Sequence, residues 1–330
     1  MKKRIAIIGA GISGLTLANR LNSTFEVVVL EKSRGIGGRM ATRQAEPFAF
    51  DHGTQFFTAR DKKFTQFITP YLRSGIVQEW IGKVVTLEVN KKTTNRLWFE
   101  PHYVACPGMN NLCKKMADGI NIRLNCEVAP LSFKDSKSWH LVDKNGESLG
   151  EFDLVISTVP PVQTCKLFNT FLTENTSISN SKFLACFTMM FGFHKKWDKT
   201  WIGAKVHNSP IEWIAVNSSK PGRNDNHTAL VVHSSNTWAE EHVNDDLQQT
   251  EIFLRRELNK ILNIELSFPD YFSLHRWRYA LLSKSHDDKT RNTPYFDTNL
   301  NLACVGDWGS RSRIEDAWID ANELADKILM

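Results

Sequence analysis

The chain has 330 residues, of which 42% are hydrophobic, so it can bury a large core, and its length favours two domains. Its net charge of +5 is the difference between 41 basic and 36 acidic side chains dispersed along the chain, which argues against nucleic acid as a partner. No run of about 18 apolar residues occurs, which argues against a membrane span and favours a cytoplasmic protein.

The first predicted element is a buried strand over residues 4–8, where apolar and β-branched side chains follow one another. Directly after it come Gly9-Ala10-Gly11-Ile12-Ser13-Gly14 and then leucines at helical spacing. Gly9 permits a tight turn, Gly11 lets the backbone approach a pyrophosphate, and Gly14 lets the helix pack closely on the sheet. The free N–H groups at the start of the helix can bind phosphate.

A second strand is predicted over residues 27–30, and Glu31 follows it, 20 residues after Gly11. A carboxylate at this distance can accept hydrogen bonds from both ribose hydroxyls. The glycines alone are weak evidence, but the strand, the helix and the acid together indicate a dinucleotide-binding βαβ unit. A glycine-rich turn between two core elements does not explain Glu31.

The segment that begins at Glu31 contains a second pair of glycines. Gly37 and Gly38 permit another close backbone approach, and Arg39 can offer a charge-assisted fork to phosphate oxygens. This segment resembles the Gly-Gly-Arg stretch of the amine-oxidase-like flavoproteins, which have a glutathione-reductase-type FAD-binding Rossmann domain. The resemblance implies noncovalent FAD as the cofactor. Further candidate contacts to FAD within the two glycine segments are Ile12, Ser13, Lys32 and Met40.

Two later stretches fit the same resemblance. A strand is predicted over 121–128, and Val128 matches the family position that meets the adenine. A strand near the C-terminus ends in Gly306-Asp307, and that aspartate matches the residue that holds the ribityl or pyrophosphate part of FAD. A helix is predicted over 314–329, beginning at Ile314. The resemblance implies that the N-terminus of this helix faces the pyrimidine edge of the flavin.

The terminal helix departs from the family pattern in its acidic residues. The family has glycine and small residues where this chain has Glu315, Asp316 and Asp320. These acids could weaken the stabilisation of an anionic flavin. Alternatively, they are solvent-exposed and complement the helix dipole. The sequence leaves both interpretations open.

Three further segments resemble renalase, in particular its bacterial branch. They are Asp51-His52-Gly53-Thr54-Gln55-Phe56-Phe57, the stretch over 212–223, and His275-Arg276-Trp277-Arg278-Tyr279-Ala280. The resemblance covers essentially the whole chain. It implies a flavin oxidase that acts on the 2- and 6-dihydro isomers of NAD(P)H, with hydride transfer to flavin N5 and reduction of dioxygen to hydrogen peroxide.

The resemblance also implies a substrate pocket. Gln55, Phe56 and Phe57 would lie along the isoalloxazine ring. Trp277 and Trp213 would wall a pocket for a planar ring, with Arg278 as a cationic contact to the substrate. Each tryptophan could equally belong to the core. Covalent attachment of the flavin at His52 is the alternative to noncovalent binding.

The cysteines predict neither disulfides nor a metal site. They occur at positions 106, 113, 126, 165, 186 and 304, without a Cys-x-x-Cys pair. Most have apolar neighbours, so reduced, buried thiols are expected. The ten histidines are equally scattered, and no metal-ligand spacing occurs among them.

The predicted class is α/β, with the FAD-binding domain assembled from separate parts of the chain. The FAD-binding domain is expected over residues 1–60, 105–160 and 295–330. A second, α+β substrate domain with a mixed or antiparallel sheet is expected over 61–104 and 161–294. Its predicted elements are strands over 187–193, 213–216 and 230–233 and a helix over 245–262.

Two other functions are compatible with the residues. One is a flavin amine oxidase or desaturase that acts on a small organic substrate, because fold alone does not specify the reaction. The other is an FAD-binding redox sensor or interaction module with little turnover. The preferred partners are a dihydronicotinamide dinucleotide and dioxygen, without nucleic acid or membrane.

Overall fold

A computed structural model of the chain describes residues 2–132, 138–172, 178, 181–263, 266, 268–283, 294–309 and 312–330. The chain divides into two compact units. The first comprises Met1–Arg39, Cys113–Lys182 and Leu282–Met330, and the second comprises Met40–Leu112 and Phe183–Leu281.

The strands in chain order are β1 (Arg4–Ile8), β2 (Glu26–Leu30), β3 (Thr42–Ala45), β4 (Phe48–Asp51), β5 (Val77–Glu79), β6 (Val84–Leu87), β7 (Thr94–Arg96), β8 (Tyr103–Ala105), β9 (Ile122–Arg123), β10 (Trp139–Val142), β11 (Ser148–Phe152), β12 (Leu154–Ser157), β13 (Phe183–Phe193), β14 (Gly203–Val206), β15 (Ile211–Val216), β16 (Thr228–Ser234), β17 (Tyr271–Leu282), β18 (Tyr295–Asp297) and β19 (Leu302–Cys304). The helices are α1 (Ile12–Leu21), α2 (Lys62–Arg73), α3 (Asn111–Met116), α4 (Pro161–Phe168), α5 (Asn236–Glu241), α6 (Leu247–Leu262) and α7 (Ile314–Leu329).

The first unit is built on a mostly parallel sheet. Six strands of the described chain form it, in the order β18-β19-β12-β1-β2-β9, with only the β18–β19 pair antiparallel. Because helices cover a parallel sheet, its central strands are buried on both faces and read as continuous apolar runs. The core beneath α1 and α7 includes Ile7, Leu17, Val29, Ile156 and Leu324. The predicted α/β class and Rossmann-type unit are confirmed.

The strand predicted over 121–128 is shorter than expected. Its β-structure is limited to β9, because Asn125 adopts a left-handed conformation (φ +54°) that a strand does not accommodate. The chain still follows the end of β2, since the Cys126 N–H donates to the Glu31 carbonyl at 2.9 Å. Val128 forms an isolated bridge with Asp143. Its adenine contact remains a prediction.

The second unit has a larger, mixed sheet. Seven strands of the described residues form it in the order β17-β13-β16-β15-β14-β6-β7, with β14 and β6 parallel and the neighbouring pairs β13–β16, β16–β15, β15–β14 and β6–β7 antiparallel. Helix α6 contributes Leu254 and Leu258 to the core on this sheet, and the carboxylate of Asp246 caps it by accepting the N–H groups of Gln248 and Gln249. The predicted mixed sheet is therefore confirmed.

The unit boundaries differ from those drawn from the sequence. Residues 40–60 lie in the second unit, where β3 pairs with β4 and β4 packs on β16. Residues 161–182 lie in the first unit, where the Leu131 N–H donates to the Leu167 carbonyl at 2.7 Å. A fingerprint motif locates a nucleotide loop, but packing decides how far the same unit extends along the chain.

Candidate functional site

The loop between β1 and α1 has the geometry that its glycines predict. Gly9 has φ +106°, which side-chain-bearing residues rarely adopt. A Cβ at Gly14 would lie 2.0 Å from the Gly9 carbonyl oxygen, so only glycine lets the helix approach the strand. A Cβ at Gly11, by contrast, would meet no protein atom within 4 Å. Gly9 thus permits the turn, Gly14 permits the close packing of helix on strand, and Gly11 borders an open space.

Helix α1 begins at this open space. Gly11 is its N-cap and provides no side-chain hydrogen bond, so the first N–H groups of the helix are left for another partner. Ile12 and Ser13 are buried in the first turn. The Ser13 hydroxyl donates to the Ala317 carbonyl at 3.0 Å, which ties α1 to α7. Its backbone N–H, rather than its side chain, is therefore the candidate phosphate donor.

Glu31 stands at the end of β2 with its carboxylate buried against the same loop. One carboxylate oxygen accepts the Ala10 N–H and the other accepts the Ser33 N–H, each at 2.8 Å. Each oxygen has a second lone pair, so the carboxylate can still accept a ribose hydroxyl. Lys32 is exposed to solvent. The open space, the uncapped helix and this carboxylate fit a dinucleotide cofactor.

Arg39 and Asp307 form a pair that the sequence did not predict, because each was expected to contact the cofactor separately. The Arg39 guanidinium donates a fork of two hydrogen bonds to the Asp307 carboxylate, at 2.7 and 2.6 Å. Asp307 directly follows Gly306, and it also accepts the Ser312 hydroxyl at 2.7 Å. A Cβ at Gly38 would lie 3.5 Å from Gly11, so this fork and the phosphate loop lie in one region of the first unit. Met40, predicted alongside Arg39, is buried in the second unit.

Helix α7 begins at Ile314, as predicted, and has no side-chain cap at its N-terminus. The interpretation of its acids as solvent-exposed is wrong for Glu315 and Asp320, which are buried. Asp320 lies on the face of α7 that includes Ala321 and Leu324 and packs on the first unit's core, whereas Glu315 is buried in the first turn on another side of the helix.

The second unit contains a fully buried ion cluster centred on Asp51, at the end of β4. Its carboxylate binds the Lys220 ammonium at 3.0 Å and the Arg223 guanidinium at 2.6 Å. It also accepts the Thr42 hydroxyl and the Met109 N–H, at 2.7 and 2.8 Å. Burial opposes ionisation of Asp51, but the two cations outweigh it and hold the pKa below its ordinary value. We name Asp51, Lys220 and Arg223 the buried triad.

Lys220 connects the buried triad to Gln55. Its ammonium donates to the Gln55 side-chain carbonyl at 3.2 Å and lies 5.3 Å from the centre of the Trp80 ring. Burial lowers the pKa of Lys220 to about 8, although the Asp51 carboxylate counteracts it. The Gln55 amide donates to the carbonyls of Asp51 and Gly53. Gln55 is thus buried and hydrogen-bonded at both ends of its amide.

A group of neutral histidines adjoins Gln55. His52 stacks on Trp277 with ring centres 5.3 Å apart and meets His275 edge-on at 5.1 Å. The Trp277 indole N–H donates to the His52 carbonyl at 3.0 Å, and His233 lies 3.4 Å from the Gln55 amide nitrogen. Burial lowers the pKa values of His52, His233 and His275 to about 4. All three are uncharged at neutral pH.

These histidines should make the protein sensitive to mild acid. Unfolded histidines have a pKa near 6.5, so between about pH 7 and pH 5 they bind protons that the folded ones do not. Stability is therefore full above the unfolded value and should fall as the pH is lowered toward 4. Urea denaturation at a series of pH values measures this, and His275→Gln should make the profile shallower. A flat profile between pH 7 and pH 5 would contradict the neutral cluster.

The aromatic residues of the predicted pocket separate into two groups. Phe57 is buried, exchanges backbone hydrogen bonds with Tyr103 and packs its ring against Phe64, so it belongs to the core. Phe56 is half-buried and meets the Trp213 ring edge-on at 5.8 Å. Phe56 and Trp213 line an open cleft of about 680 Å³ within the second unit.

The structure does not bring Arg278 to Trp277. Successive side chains of a strand point to opposite faces, and Arg278 is exposed and donates to the Asn244 amide oxygen at 2.9 Å.

The sequence patterns, in turn, did not single out Lys220 and Arg223 as residues of the site. Both lie in the segment over 212–223 that carries the renalase resemblance, and this was the available signal. No signal singled out Trp98 and His102, which also line the cleft.

The described residues contain no group of three or more histidine, cysteine or acidic side chains suited to a metal ion. Their cysteines are free thiols, buried or half-buried. Within the same residues, no helix has the length and apolar composition needed to cross a membrane.

Comparisons with known proteins agree with this architecture. Residues 7–70 match the family model of NAD(P)-binding Rossmann-like domains, and residues 90–329 match that of flavin containing amine oxidoreductases. A 4,4'-diapophytoene desaturase of Staphylococcus aureus (strain Newman) is 37% identical over 76 residues, and the match covers 20% of this chain and only 15% of the desaturase.

Solved structures with low sequence identity share the fold. A protein of Exiguobacterium sp. 255-15, provisionally named a protoporphyrinogen oxidase, superposes with a TM-score of 0.80 at 13% identity over 99% of both chains. Cyclohexylamine oxidase from Brevibacterium oxydans IH-35A superposes with a TM-score of 0.72 at 12% identity over 100% of both chains. At these identities the likeness concerns the fold.

Proposed function

Because the chain belongs to the family of flavin-containing amine oxidoreductases and is an FAD-dependent enzyme, we propose that it is an oxidase of renalase type. Its substrates are the 2- or 6-dihydro isomers of NAD(P)H. The dihydropyridine ring loses a hydride and becomes the aromatic nicotinamide, and dioxygen takes up the two electrons together with the hydride's proton and one solvent proton to give hydrogen peroxide.

FAD, when bound, supplies the acceptor for the hydride and the route of the electrons to dioxygen. The first unit offers the residues that would hold the cofactor: the N–H groups at the start of α1 for the pyrophosphate, Glu31 for a ribose, and the Arg39–Asp307 fork. The protein's own contribution is to bind, orient and exclude water, because a dihydropyridine is already an activated hydride donor.

The observation that carries the proposal is the meeting of the three renalase-like segments within the second unit. Asp51 of the first segment forms ion pairs with Lys220 and Arg223 of the second. His52 of the first stacks on Trp277 of the third. Segments far apart in the sequence therefore form one buried cluster, which supports a shared role around Gln55 and Phe56.

The charges of this cluster favour a neutral or anionic substrate. The buried triad has two cations and one carboxylate, and the neighbouring histidines are neutral. The net positive charge of the cluster would repel a protonated amine bound nearby, whereas the dihydronicotinamide ring is uncharged and its phosphates are anionic.

Oxidation of an amine, or desaturation of another small organic molecule, is the second candidate. The family model and the fold shared with cyclohexylamine oxidase favour it. It would also need a carboxylate or aromatic cage for the amine. The non-catalytic alternative has no support from the family, which consists of oxidoreductases.

Anaerobic mixing of the FAD-loaded protein with candidate donors tests the proposal. We expect 6-dihydroNAD to bleach the visible flavin absorbance rapidly. The ordinary 4-dihydro isomer, NADH, and a panel of primary and secondary amines should leave the absorbance unchanged. Readmission of air should restore the absorbance and yield hydrogen peroxide. Bleaching by an amine alone would replace the proposal with the second candidate. Absence of bleaching by any dihydronicotinamide would refute it.

A further inference from the structure

The seven-stranded sheet of the second unit has one apolar face, which α6 covers. Val85 of β6, Ala204 of β14 and Ile214 of β15 pack in one core with Leu254 and Leu258 of α6. Successive side chains of a strand point to opposite faces, so the residues adjacent to these three strand positions point away from α6. The open cleft lies on that second face of the sheet.

A row of side chains with hydrogen-bonding groups crosses the second face. Thr86 pairs with Lys205, and Lys205 pairs with Trp213. Trp213 in turn pairs with His233, whose Nε2 lies 3.4 Å from the Gln55 amide nitrogen. Paired residues of neighbouring strands share a face and lie about 4.8 Å apart, so the row is about 14 Å long. It leads from Gln55 to the cleft, which the first three of these residues line.

Arg96 supplies a cation at the outer end of this row. It lies two residues after Thr94 on β7, and Thr94 pairs with Thr86, so the Arg96 side chain points to the same face. Arg96 lines the cleft and is exposed, and none of the ion pairs among the described residues includes it. Its guanidinium is therefore available to a ligand.

The remaining charges at the cleft are paired. The Lys205 ammonium binds Glu212, which is outside the lining of the cleft, and Glu100 binds Arg60. Each pair is neutral in sum, so Arg96 gives the cleft its net positive charge. Lys205 retains further N–H groups for a ligand, because an ammonium has three of them. These donors suit an anionic group better than a cationic amine.

We propose that the cleft binds the phosphate next to the nicotinamide ribose of the substrate, with Arg96 and Lys205 as its donors. The planar fork of a guanidinium matches phosphate oxygens. Lys205 lies two strand spacings, about 10 Å, from His233, so a ribose can connect this phosphate to a ring beside Gln55. This inference rests on the proposed function, because it specifies a nucleotide rather than a phosphate-free riboside. It makes Arg96 a specificity-determining residue.

The test compares two oxidised ligands that differ by one phosphate, nicotinamide mononucleotide and nicotinamide riboside. Both have the same ring and ribose, so the ratio of their dissociation constants reports on the phosphate alone. Calorimetric titration of the FAD-loaded protein measures both constants. The wild type should bind the mononucleotide about five- to tenfold more tightly, because charge-assisted hydrogen bonds distinguish it. This preference should weaken as the salt concentration is raised, since exposed charges are screened.

Three variants assign the preference to Arg96. Arg96→Gln should reduce it to about twofold or less, because the one unpaired cation of the cleft is removed. Arg96→Lys should retain part of it, since the charge remains without the planar fork. Arg256→Gln is the matched control, because Arg256 is an equally exposed arginine of the same unit but lies on α6, outside the cleft. It should change neither dissociation constant.

Equal wild-type affinities for the two ligands, or a preference that is unchanged in Arg96→Gln, would overturn the phosphate site. Since binding of oxidised ligands requires no turnover, these outcomes are independent of the bleaching experiment. A protein that 6-dihydroNAD bleaches but that lacks the preference would keep the proposed function and lose this site. A preference in a protein that no dihydronicotinamide bleaches would refute the proposed function alone.

Discussion

Asp51→Asn is expected to lower the free energy of unfolding by about 3–5 kcal/mol, because it leaves two buried cations without their carboxylate. Asp51 and Lys220 side chains are 0% exposed and that of Arg223 is 3% exposed, so water cannot replace the lost ion pairs. The asparagine can still accept hydrogen bonds, which makes the loss one of charge rather than of shape. Urea denaturation at a fixed FAD concentration, followed by tryptophan fluorescence, measures the change.

The matched control is Asp225→Asn, which removes a carboxylate from an exposed ion pair. Asp225 and Lys196 are 66% and 63% exposed at a distance of 2.8 Å, so solvent screens the pair and its loss should change the stability far less than Asp51→Asn does. Adding Lys220→Met to Asp51→Asn should recover part of the lost stability, because it removes one uncompensated charge. A cost for Asp51→Asn as small as that of the control would mean that the buried triad does not stabilise the second unit.

Alanine at Gly14 and at Gly11 should give opposite results. Gly14→Ala places a methyl group 2.0 Å from the Gly9 carbonyl, so α1 must move away from β1, and we expect a loss of about 3 kcal/mol of stability together with loss of FAD. Gly11→Ala meets no protein atom within 4 Å, so the fold should be almost unaffected. Its FAD affinity should nevertheless fall about ten- to hundredfold, since the methyl group occupies space that the cofactor needs.

Gly35→Ala is the control for both variants, because a Cβ there also meets nothing within 4 Å and the residue is exposed. Thermal denaturation reports the stability of each variant, and equilibrium dialysis against FAD reports the affinity. If Gly11→Ala binds FAD as tightly as Gly35→Ala does, the space beside Gly11 does not belong to the cofactor.

Local chemistry made the nucleotide-binding part of the first unit predictable. The bounds of β1 and α7 agree with those expected from apolar periodicity, and the roles of Gly9 and Gly14 follow from backbone conformation and contact distance. Each of these features depends on residues a few positions apart, which is the range over which periodicity and turn chemistry operate. Asn125, whose left-handed conformation ends β9 early, shows that one residue can still defeat such a pattern.

Burial of polar residues could not be read from the same patterns. Glu315 and Asp320 were equally compatible with a solvent-exposed helix face, and only the tertiary structure buries them. Arg39 and Asp307 were each assigned to the cofactor, whereas the fold pairs them with each other. The side chain that faces a given residue depends on the whole topology.

By itself, the sequence determined the α/β class, the dinucleotide fingerprint and the FAD-binding unit, because strand, turn and helix signals are encoded in short, contiguous stretches. Only the tertiary structure decided that Asp51 binds Lys220 and Arg223, which follow it by 169 and 172 positions. It likewise removed Phe57 and Arg278 from the aromatic pocket and brought Trp98 and His102 to the cleft. Contacts over such separations arise from the packing of complete sheets, and no local pattern specifies which side chains that packing brings together.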